Sequence, residues 1–130
     1  MLFESSQKDF KTLVAKSADL TNKPFQHSVI NVKGEIDFYA DELDITLNIL
    51  CRDIDGRRVK VNDLEIELFR SSKDIVLVIA KLNFPEDPIL WSGNKVLWMD
   101  GNTGQKCNPP NYASSLENLA NRIRSFLDDD

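Results

Sequence analysis

One histidine, two cysteines and two acidic glycine turns are the parts of this 130-residue sequence best suited to chemistry. His27 is the only imidazole, and Cys51 and Cys107 lie far from it and from each other along the chain. A zinc site needs a set of such ligands, so no metal centre is expected. A thiol becomes a nucleophile only with a lowered pKa or an adjacent base. Cys107, just before Pro109 and Pro110, meets that need only if the fold carries His27 to it. Serine catalysis lacks its G-x-S-x-G turn and would compete for the same histidine. Among the 21 acids no pair is singled out as a general acid and base.

The glycine motifs point to turns. Neither G-x-G-x-x-G nor a P-loop is present, and Gly101 and Gly104 in Asp100-Gly-Asn-Thr-Gly104 have no helix opening behind them to cradle a phosphate. Asp53-Ile54-Asp55-Gly56 begins like a calcium loop, but Arg57 takes the next ligand position. Both stretches read as hairpin chemistry. No cofactor is expected.

Two surface features suit protein contact. Glu35, Asp37, Asp41, Glu42 and Asp44 form an acidic block, while Arg52, Arg57, Arg58 and Lys60 form a basic one at the other end of the same strand. Such asymmetry steers charged partners. A hairpin turning at Gly93-Asn94 sets Trp91 against Val96 and Ile89 against Trp98, with Leu90, Leu97 and Met99 on its other face. Both faces are apolar, so a face left uncovered would mark an interface or a ligand groove. The expected interface residues are Ile89, Trp91, Val96 and Trp98, with Arg52, Arg57 and Arg58. Burial of both tryptophans in the core is the competing expectation.

The elements that must position these residues follow from periodicity. Ile75 to Ala80 is an unbroken apolar run, as a central strand requires. Before it, Ser6 with Asp9 resembles a cap for a helix carrying Phe10, Leu13, Val14 and Ser17 or Ala18, which ends at Thr21-Asn22-Lys23-Pro24. Ile30, Val32, Ile36 and Phe38 alternate over one long strand kinked at Gly34. Ile45, Leu47, Ile49 and Cys51 give the next strand. A three-residue loop with Gly56 left-handed returns Val59 opposite Cys51 and Val61 opposite Ile49.

Leu64, Ile66 and Leu68 form a strand with one solvated face, and the stretch from Asn102 to Lys106 forms a short edge strand. Ser114 with Glu117 makes a capping box for a last helix whose stripe is Leu116, Leu119, Ala120, Ile123, Phe126 and Leu127. The fold class is therefore α+β: an N-terminal helix, an antiparallel meander of about five to seven strands, and a C-terminal amphipathic helix packed on the sheet. Residues 1–130 make one domain.

A net charge of −5 argues against nucleic acid and anionic membrane surfaces. The apolar runs fall far short of a membrane span, and the first ten residues lack a signal peptide's apolar segment, so a cytoplasmic protein with reduced thiols is expected. The leading functional expectation is a small non-enzymatic protein acting through a protein partner or as a homo-oligomer. The alternative is a small-molecule binder or enzyme with its pocket between sheet and helices.

Overall fold

Ile75, Leu77 and Ile79 are buried on one face of a strand at Asp74–Lys81, while Val76 and Val78 sit half-buried on the other. The computed structural model describes residues 3–34, 42–71, 74–92, 95–111 and 113–128. It runs α1 (Phe3–Thr21), β1 (Gln26–Lys33), β2 (Glu42–Arg52), a single 3-10 turn (Lys60–Asn62), β3 (Leu64–Ser71), β4 (Asp74–Lys81), β5 (Phe84–Ser92), β6 (Lys95–Trp98) and α2 (Ala113–Asp128). The six strands form one antiparallel sheet in sequence order. Neighbours in the chain are neighbours in the sheet and run antiparallel, which makes it a meander.

Both helices cover the same face. Phe10, Val14 and Ala18 of α1 and Leu116, Leu119, Ala120 and Ile123 of α2 close over Ile45, Leu47, Ile49, Ile66, Leu68, Leu77, Ile79 and Ile89. Strict alternation puts these strand residues on one side, and fully burying each such side chain contributes about 1.5–3 kcal/mol. The two predicted pairings recur in the register, Ile89 facing Trp98 and Trp91 facing Val96, and Leu68 faces Leu77.

Four local expectations need correction. β1 stops at Lys33 and β2 returns beside it, so no long strand runs through Gly34; the expected continuation at Ile36 and Phe38 lies outside the described residues. The face of β1 is reversed: Val29 lies beside Ile49 on the covered side, while Ile30 and Val32 are 48% and 55% exposed. The alternation was real, but α1 covers the odd positions.

The return strand after Gly56 is cut short. Arg58 bridges Arg52 and Val59 donates to the Cys51 carbonyl at 2.9 Å, as expected, but the chain then enters the 3-10 turn, leaving Val61 exposed and giving Ile49 to Leu64. Asp63 makes that jump possible, because its carboxylate accepts the Cys51 N–H at 2.7 Å where a strand carbonyl would have stood. The expected edge strand at 102–106 is reduced to one bridge between Met99 and Lys106.

Both expected caps also differ. α1 begins at Phe3, so Ser6 is inside it. α2 begins at Ala113, so Ser114 is within its first turn, and Glu117 accepts the Trp98 indole N–H at 2.9 Å.

Candidate functional site

Two regions of the molecule combine accessible surface or space with organised side chains. The first lies at one end of the sheet, where the end of α1 and the start of α2 meet β1. The chain leaves α1 at Thr21 and re-enters β1 at Gln26, which brings Asp19 alongside His27. The His27 Nδ1–H donates to Asp19 Oδ1 at 2.8 Å, since an ionised carboxylate only accepts. The His27 side chain is fully buried, and Nε2 has no hydrogen-bond partner among the described residues.

Beside it is a cavity of about 70 Å³, whose walls include Thr21, Asn22, His27, Asn62, Lys81 and Ser115. This is room for about two water molecules or a very small polar ligand. Behind its Asn62 wall lies Cys51, paired across the strands with His27. Burial first, and the Asp63 carboxylate second, push the Cys51 thiol above its ordinary value, opposed by the Arg58 charge and a hydrogen bond with Asn62. A buried thiol held in its protonated form is a poor nucleophile. Cys107 follows β6, with its N–H on the Trp98 carbonyl at 2.8 Å, at the opposite edge of the sheet from β1 and His27. The fold therefore keeps the one histidine from the one cysteine near a loop.

Both acidic turns are closed on themselves. Asp53 Oδ1 accepts the amides of Asp55 and Arg57, each at 2.9 Å, and Gly56 is left-handed at φ +86°. Asp100 Oδ1 accepts the amides of Asn102 at 2.7 Å and Thr103 at 3.2 Å. Among the described residues no group of three or more His, Cys, Asp and Glu side chains is placed to hold a metal.

The expected interface residues divide. Ile89 and Trp98 are buried in the core, and Val96 packs against it, so burial moves them off any accessible surface of this chain. Trp91 falls in register between Leu77 and Val96, but its side chain lies outside the described residues. Arg58 is bound to the buried Asp63 and to the Cys51 carbonyl, Arg52 donates to the Gly56 carbonyl at 3.1 Å, and Arg57 is exposed at the loop tip. The three arginines thus share one loop, and two of them shape it.

The second region is the sheet face that neither helix covers. Its rows run Glu67–Val78–Leu90–Leu97 and Asp44–Phe69–Val76 across neighbouring strands. Phe69 is 41% exposed, and Val76, Val78, Leu90 and Leu97 are half-buried, forming one apolar area. Asp44, Glu65 and Glu67 border it on the β2 and β3 side. Desolvation first, then the Glu67 charge and a hydrogen bond with Glu67, raise the Glu65 carboxyl above the usual range. Of the acidic block, Glu42 and Asp44 are exposed on β2, and Glu35, Asp37 and Asp41 lie outside the described residues.

Sequence reading missed the Asp19–His27 pair and Asp63, because each partner is fixed by a chain reversal and no local motif marks it. It also missed the apolar face as a whole, whose residues come from four strands in ones and twos.

No helix among the described residues is long and apolar enough to cross a membrane. The family model described as a domain of unknown function (DUF8659) matches residues 11–126. No curated protein and no solved structure matches the chain.

Proposed function

The chain belongs to the DUF8659 family, and we propose that it is a non-enzymatic binding module that receives a basic, amphipathic protein segment on the uncovered face of its sheet. The observation that carries this reading is the apolar area of Phe69, Val76, Val78, Leu90 and Leu97 bordered by Asp44, Glu65 and Glu67. Contiguous apolar surface rimmed by charge is the usual form of a protein-contact site. The acidic rim on the β2 and β3 side favours Lys- or Arg-bearing partners there, while Lys95 borders the β6 side, and the net charge of −5 disfavours nucleic acid. Two thiols that no disulfide joins suit a reducing, cytoplasmic setting.

Selection of a random peptide-display library on the immobilised protein tests the proposal. Enriched peptides should combine apolar residues with Lys or Arg, bind more weakly at higher salt, and lose about tenfold or more in affinity with Phe69→Glu or Leu97→Glu. Peptides that perturb only amides on the helix-covered side, or a selection that enriches nothing, would refute it.

A second reading, a binder of very small polar molecules, is favoured by the Asp19–His27 pair on the cavity wall. A thermal-shift screen separates the two, since Ser115→Phe would fill the cavity and abolish such hits while leaving peptide binding intact.

A further inference from the structure

We propose that two copies of this chain join edge to edge through β1, making one continuous antiparallel sheet with Ile30 on the two-fold axis. β1 ends the strand order, and no described strand pairs with its outer side. The direction of its backbone groups follows from β2. Cys51 gives its N–H to Asp63 Oδ1 and takes the Val59 N–H on its carbonyl, both on the side of β2 away from β1. His27, opposite Cys51, is therefore in a non-hydrogen-bonded pair and turns its own N–H and C=O outward. Alternation gives Val29 and Asn31 the same orientation. Among the described residues, none bonds these outward groups.

The composition of β1 leaves most of that edge unguarded, with Lys33 and the register irregularity between Asn31 and Lys33 confined to its C-terminal end. From Gln26 to Val32 there is no Lys, Arg, Asp, Glu or Pro, the residues by which exposed edges are commonly protected. Ile30 and Val32 are about half exposed on the open face. The other edge differs: β6 is four residues long, starts with Lys95, and is continued by the Met99–Lys106 bridge. The liability is confined to β1.

A second copy is the occupant that fits, because the strand complements itself when reversed. With Ile30 opposite the partner's Ile30, Val29 meets the partner's Asn31 and Ser28 meets the partner's Val32. Val29 and Asn31 both point outward, so each such pair can exchange both backbone bonds, while the two Ile30 residues form the close, non-hydrogen-bonded pair on the open face. No like charges oppose each other in this register, and from Gln26 to Val32 a charged peptide would find no Lys, Arg, Asp or Glu to pair with. A two-fold normal to the sheet keeps the helices of both copies on one side and makes their open faces continuous. This inference does not depend on the peptide-binding face, whose variants lie on β3 and β6.

Sedimentation across a concentration series tests it. Wild type should show a reversible monomer–dimer equilibrium. Val29→Pro removes an N–H that no described residue accepts, so it should give folded monomer. Ile30→Lys places like charges on the axis and should weaken dimerisation by about tenfold or more. Ile30→Cys should form an intermolecular disulfide under mild oxidation, as close cross-strand pairs permit. If Val29→Pro does not fold, Ile30→Lys, at an exposed site, carries the test. Wild type that stays monomeric at every concentration overturns the proposal. So does a dimer whose affinity is unchanged by Ile30→Lys but lost with Phe69→Glu.

Discussion

The carboxylate of Asp63 accepts the backbone N–H of Cys51 at 2.7 Å, standing in for a strand carbonyl at the point where β2 loses its neighbour. Its other oxygen binds Arg58, and its own carbonyl takes the Leu82 N–H at 2.9 Å. Asp63 is buried, so removing its side chain strands both a buried amide and a guanidinium. Asp63→Ala should therefore destabilise the fold by about 3 kcal/mol, and Asp63→Asn, which keeps an acceptor, by clearly less. Urea melts of the two variants beside wild type decide this; equal, small losses would mean that solvent replaces the carboxylate.

Two left-handed glycines should respond differently to the same change. A Cβ on Gly34, at φ +84°, would lie 2.1 Å from the Asp44 carbonyl oxygen, whereas Gly56, at φ +86°, has nothing within 4 Å. Gly56→Ala should cost only the conformational strain, about 1 kcal/mol, and Gly34→Ala on the order of 3 kcal/mol because backbone must also move. Thermal melts that rank them the other way would contradict the close approach of Gly34 to the Asp44 backbone.

Stability should carry the signature of Glu65. Its proton is bound more tightly in the folded state than in the unfolded one, because burial and then the Glu67 charge disfavour its carboxylate. The contribution is thus favourable at acid pH and is lost as the pH rises through and above the glutamate range. Glu65→Gln should raise the melting midpoint at about pH 7 and change it little at about pH 3, where both states hold the proton. A lower midpoint at neutral pH would show that the charged Glu65 is instead stabilising.

The two faces of the sheet should differ in mutational cost. Leu77→Ala or Ile79→Ala, both under the helices, should lose about 2–5 kcal/mol. Phe69→Ala, on the open face, should lose about 1 kcal/mol or less in the isolated protein. Denaturant melts yielding similar losses at all three positions would mean that the open face is covered.

The central strand, the hairpin register of Ile89 with Trp98 and Trp91 with Val96, and the apolar stripe of α2 could all be read from residue order. Side-chain alternation and helical spacing are local properties, and a hairpin register is fixed by its own turn and pattern. The α+β class followed from these because short connections leave antiparallel neighbours as the simple solution. Which face each element turned inward was set by the packing of the helices on the sheet. Ile30 and Val32 alternate as well as any core strand, yet α1 lies over Val29, and the even positions were left outside. Glu117 suits a cap by sequence but meets the Trp98 indole, and Asp63 becomes a strand acceptor because a 3-10 turn swings it back to Cys51. His27 acquires Asp19 for the same reason: the partners are set by how helices and sheet come to rest on one another, and alternation along the chain specifies two faces without saying which will be covered.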